Sequence, residues 1–98
     1  IKMKKVSNIR SRSYVQDRLP FKANNLFAVN KGNKYIVYSY GVHFPLFLFS
    51  NGIWYENQDK YSVTTSKHKT QSHPLCNTQK VSKEWLISEI NQENFDLV

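Results

Sequence analysis

Hydrophobic and polar positions change rhythm twice along this chain. Between Leu26 and Glu56, apolar and aromatic residues fall in short runs of strand length, each closed by a turn signal. Leu26 to Asn30 reads as a first strand and Lys31-Gly32-Asn33 as a turn. Lys34 to Tyr40 follows as a strand rich in β-branched and aromatic residues, with Ile36, Tyr38 and Tyr40 on one face and Tyr35, Val37 and Ser39 on the other. Gly41-Val42-His43 interrupts the ladder. Phe44 to Ser50 resumes it, with Pro45 near the start, where a sheet tolerates a proline. Its Leu46, Phe47, Leu48 and Phe49 are apolar on both faces, the signature of a covered strand. Asn51-Gly52 is a strong hairpin signal, and Ile53 to Glu56 is the return strand.

Outside this block the period is helical or absent. Residues 1–6 form a basic arm, followed by a short helix with Ser7 as its N-cap. Ile9, Val15 and Leu19, with Tyr14 nearby, make a loose stripe that ends at Leu19-Pro20. Residues 21–25 connect it to the first strand. Residues 57–80 are polar and read as a long basic loop, in which Tyr61 to Thr65 could extend a strand. A loop of that length is usually functional or mobile. Ser82 caps a last helix, Lys83 to Asn94, with Trp85, Leu86, Ile87 and Ile90 as its apolar face. The predicted fold is one α+β domain: a four-stranded antiparallel β-meander with a short N-terminal helix and a C-terminal helix packed on the sheet.

Composition agrees with a small folded domain. The 98 residues are 40% hydrophobic and 14% aromatic, too aromatic for a disordered chain. No apolar run approaches the length of a membrane span, and Ile1 to Lys5 has no apolar segment behind it, which reads against a signal peptide. A single cysteine, Cys76, suits a reducing, cytosolic setting. Charge changes the picture more. The net charge of +7 is uneven: residues 1–22 hold seven Lys/Arg against one Asp, whereas residues 81–98 hold Lys83 against four carboxylates. A basic body with an acidic tail points to an anionic partner.

The segment from Lys60 to Lys83 contains no acidic residue. Lysines attract phosphate, hydroxyls bond to its oxygens, and tyrosines stack on unpaired bases. The candidate nucleic-acid or partner-binding residues are therefore Lys60, Tyr61, Ser62, Thr64, Thr65, Ser66, Lys67, His68 and Lys69. Lys4, Lys5, Arg10 and Arg12 of the arm and first helix join them. The plain alternative is a solvated loop. His43, Asp59, Ser62, His68 and Cys76 include nucleophile and base types, but without a glycine elbow or metal-ligand spacing. No catalytic residue, metal or cofactor is predicted. A small metal-assisted nuclease using His43, Asp59 and His68 is a distant alternative. Tyr38, Tyr40, Phe44, Phe47, Phe49, Trp54 and Tyr55 are first of all core. An exposed subset would serve a second alternative, a protein-only module that inhibits a host enzyme.

Ser39-Tyr40-Gly41, His43-Phe44-Pro45 and Trp54-Tyr55 precede Asp59-Lys60-Tyr61-Ser62, Thr64-Thr65-Ser66 and His68. With Pro20-Phe21 and Asn25-Leu26 upstream, this string resembles small uncharacterised proteins and domains encoded by bacteriophages and prophages, over roughly residues 20–74. The resemblance implies a phage or mobile-element origin. Such proteins are often anti-defence factors or accessory nucleic-acid binders. The expectation is a non-enzymatic protein that engages nucleic acid or a host nucleoprotein complex, with inhibition of a CRISPR effector as one form.

Overall fold

The computed structural model describes residues 4–59 and 62–92. Its strands are β1 (Lys4–Lys5), β2 (Phe21–Ala23), β3 (Leu26–Lys31), β4 (Lys34–Ser39), β5 (Pro45–Ser50), β6 (Ile53–Asn57) and β7 (Gln79–Val81). Its helices are α1 (Ser11–Gln16), entered through a 3₁₀ turn at Asn8–Arg10, α2 (Val63–Ser72) and α3 (Lys83–Asn91). The α+β class is as expected, but the four-stranded antiparallel meander is not. All seven strands form one mixed sheet in the order β1 to β7 (six strands without the two-residue β1). β2 to β6 are antiparallel, whereas β1 pairs with β2 and β6 with β7 in parallel. The added strands are two or three residues long, too short to show a period of two.

Each parallel step needs a crossover, and α1 and α2 supply them. Both crossovers leave a strand of the same direction and step toward the same side. The handedness rule therefore puts both helices on one face, where they pack against each other. α3 follows β7 onto the opposite face. The sheet thus separates two cores. Val15 of α1, Phe21, Ala28, Val37, Phe47 and Trp54 are buried on the α1/α2 face. Ile36, Tyr38 and Leu48 pack with Leu86 and Ile90 of α3 on the other. Register accounts for this: Phe21, Ala28, Val37, Phe47 and Glu56 stand opposite one another in turn. So do Val29, Ile36, Leu48 and Tyr55, and facing residues share a side of the sheet. β4 is consequently buried along its whole length.

Turn chemistry fixes the hairpins. Asn51 and Gly52 both have positive φ, 53° and 78°, as a two-residue hairpin of matching twist requires. Predicted helix ends shift modestly: α1 stops at Gln16, with Arg18 left-handed at φ 55°, and α3 stops at Asn91, before the expected Asn94, because Gln92 is extended. Trp85, expected in the buried face of α3, is 39% exposed and leans on Tyr55 with ring centroids 4.8 Å apart.

Candidate nucleic-acid interface

The largest correction concerns residues 57–80. They are not a long loop: residues 63–72 form α2 and residues 79–81 form β7. Ser62 caps α2 by accepting a hydrogen bond from the Thr65 amide at 3.2 Å. His73 ends it in extended backbone ahead of Pro74. The buried side of α2 is Thr65, His68 and Ser72. These recur at helical spacing, but none is apolar, so hydropathy does not reveal the period.

Polar contacts hold α2 in place. His68 Nδ1 lies 2.8 Å from Ser39 Oγ in a buried pair, and its ring packs against Tyr40, 5.5 Å between centroids. Burial, helped by the charge of Lys67, holds the imidazole below its usual range, favouring the neutral ring. Arg12 donates from Nε to the His73 carbonyl at 2.9 Å and from its terminal nitrogen to the Thr70 carbonyl. It thereby satisfies orphan carbonyls at the end of the helix.

Beneath α2 lies Glu56, buried at the end of the Phe47 row. Its carboxylate meets Lys69 Nζ at 3.3 Å, His73 Nε2 at 3.2 Å and Lys80 Nζ at 3.5 Å. The Thr78 hydroxyl donates to it at 2.6 Å. The Leu75 amide donates to His73 Nδ1 at 2.9 Å, so Nε2 carries the proton that points at Glu56. Burial alone would raise the Glu56 carboxyl. The Thr78 hydrogen bond, the charge of Lys69 and the His73 N–H directed at it outweigh burial, and the group sits below the usual carboxylate range. Lys69 also donates to the Asn57 carbonyl at 2.8 Å.

The residues proposed as one basic surface therefore separate. Lys69 is committed to Glu56, His68 and Thr65 are buried, Ser62 is a cap, and Arg12 is tied to the α2 terminus. Thr64, Ser66 and Lys67 are exposed on α2, and Arg10 is exposed at the entry to α1. Lys60 and Tyr61 lie outside the described residues. Lys4 enters β1 through its backbone. Lys5 stands on the opposite side of the sheet from α2, because it faces Lys22, which in turn faces Phe27 and Tyr38 of the α3 core. Nor does a nuclease site assemble from His43, Asp59 and His68. Asp59 accepts the Lys83 amide of α3 at 3.1 Å, and no metal-holding cluster occurs among the described residues.

What the sheet does assemble is the row Lys5, Lys22, Phe27, Tyr38. α3 packs over β5 and β6, leaving the β1–β3 end of this face to solvent. Two lysines side by side on neighbouring strands repel, yet neither takes part in an ion pair among the described residues. Phe27, half-buried, stacks on Tyr38 at 5.2 Å between centroids. Tyr40, 51% exposed, closes the end of the row. Lys5, Lys22, Phe27 and Tyr40 line an open concavity of about 590 Å³, together with Ser7 and Asn24, and no carboxylate among the described residues lines it. The Asn8 side chain pins the arm there. Its Oδ1 accepts the Asn24 amide at 2.9 Å and its Nδ2 donates to the Asn24 carbonyl at 3.2 Å. Sequence reading missed Lys22 and Phe27 because residues 21–25 carry no strand period.

A small mixed-sheet α+β domain with a lysine and aromatic face is thus the class that the geometry defines. The chain belongs to DUF8033, a family of unknown function, whose model matches residues 6–88. No curated protein and no solved structure gives a significant match to it. No helix among the described residues is long and apolar enough to cross a membrane.

Proposed function

We propose that this chain is a non-enzymatic binding protein that engages nucleic acid, alone or within a nucleoprotein complex, through the open β1–β3 face. The observation that carries this reading is the adjacent Lys5–Lys22 couple, which has no ion-pair partner among the described residues, in a concavity that no described carboxylate lines. Two like charges held together repel, and a phosphodiester backbone relieves that repulsion. Arg10, exposed at the entry to α1, adds to the positive field. Lys67 on α2 offers a second, separate contact. The resemblance to phage-encoded domains supplies the setting. In a host cell, a basic domain of this kind would bind nucleoprotein machinery, CRISPR effectors included, rather than imitate DNA.

Fluorescence anisotropy on labelled oligonucleotides tests the reading. Lys5→Glu with Lys22→Glu changes only exposed strand positions and should weaken binding by about 10-fold or more. The wild type should lose affinity steeply between about 50 and 200 mM salt, and the double variant less steeply. Salt-independent binding, or a double variant that binds like the wild type, overturns it. Lys69→Glu is unsuited to this test, since it would break the Glu56 cluster.

A further inference from the structure

Resting on that reading, we infer that the concavity takes unpaired nucleotides, with Tyr40 and Phe27 as the surfaces on which bases stack. Tyr40 has φ 70°, a left-handed backbone that suits glycine or asparagine and strains a bulky aromatic residue. Its amide donates to the Asn25 carbonyl at 2.9 Å, which locks the turn whatever the side chain. The ring is what tyrosine adds here. It is 51% exposed, yet it is not loose. His68 backs it on the α2 side and is itself fixed by Ser39. Phe27 is likewise braced from behind, by the buried Tyr38. Each accessible ring therefore rests on a second ring and offers its free side to the concavity.

Cations lie on one side and rings on the other, as a single strand with its backbone to one side and its bases to the other requires. Lys5 and Lys22 stand together at the outer edge, Phe27 follows Lys22 inward along the row, and Tyr40 lines the same concavity. A backbone held on the lysines would place its bases over the rings. A duplex keeps its base faces stacked inside and offers only phosphates, so it would use the lysines and leave the rings idle. Charge complementarity thus selects a nucleic acid, and the aromatic placement selects its unpaired form.

The test compares single-stranded and duplex oligonucleotides of the same sequence by anisotropy at one salt concentration. Tyr40→Asn keeps the left-handed backbone and removes the ring. It should weaken single-strand binding by about 10-fold and leave duplex binding within about two-fold. Tyr40→Phe should bind as the wild type does. Phe27→Leu, which keeps apolar burial, should show the same selective loss and stands in if Tyr40→Asn fails to fold. If the ring variants weaken both forms equally, or neither, the inference is overturned. The lysine double variant, losing affinity for both forms, would then still uphold nucleic-acid binding. A wild type that binds no oligonucleotide overturns both.

Discussion

α2 and α3 are two solutions to one problem. Each begins at the same end of the sheet, behind a serine N-cap: Ser62 accepts from Thr65 and Ser82 from Trp85. Each ends with its last carbonyls held by a cation from a distant element. Arg12 serves α2, and the buried Lys34 serves α3 through the Glu89 and Gln92 carbonyls. Between the caps they differ completely. α3 is held by Leu86 and Ile90 against Ile36 and Leu48. α2 is held by His68 on Ser39 and by Lys69 and His73 on Glu56. Burial of apolar surface is non-directional and indifferent to pH. A satisfied polar cluster depends on each partner and on its protonation. The same fold therefore carries one robust helix and one conditional helix.

The strongest way to break this contrast is to disable each helix at its centre. Leu86→Ala should cost about 2–5 kcal/mol by urea denaturation, with the loss unchanged between neutral and mildly acid pH. Glu56→Gln should cost on the order of 3 kcal/mol, because it leaves Lys69 without its counter-charge beside a buried amide. Its amide-exchange signature should be loss of protection in α2 with α3 retained. Equal loss in both helices would show that they unfold as one unit.

Acid should then separate the helices without any mutation. The His68 ring is held below its usual value of 6.5, so the unfolded chain takes up a proton first. Its stabilising contribution is full above about 6.5 and declines as pH falls from there toward the folded value. Glu56, also held low, contributes fully above about 4.3 and is lost as pH falls through its folded value. Exchange at α2 should therefore rise in two stages on acidification while α3 stays protected. A single stage common to both would remove the distinction.

The smallest effect sharpens the shared part. Ser62→Ala and Ser82→Ala should each cost about 1 kcal/mol. The Ser62 variant should become more costly relative to Ser82 at low pH, where α2 has lost its other supports. Thermal melts of the two variants at two pH values measure this.

Legibility in the sequence follows the same line. The antiparallel block from Leu26 to Glu56, the Asn51-Gly52 hairpin and α3 were readable, because apolar periodicity and turn residues are local signals. α2 was not, because its buried stripe is Thr65, His68 and Ser72. The lysine-rich segment was picked out by its charge, but charge alone does not distinguish Lys67, which faces solvent, from Lys69, which neutralises Glu56. Lys5 was named as a contact, whereas Lys22 and Phe27 came to light only through strand pairing.

The sequence by itself determined where β3 to β6 lie, where the central hairpin turns, that the chain is basic, and where α3 begins. Those features depend on residues within a few positions of one another. Only the tertiary structure decided that the sheet has parallel strands at both ends, that two faces carry two cores, and which cations are spent on the fold. Each of these depends on partners far apart in sequence, such as Glu56 with Lys69 and His73, Arg12 with Thr70, and Lys5 with Lys22. A side chain's charge is written in the sequence, but its partner is fixed only when the chain has folded around it.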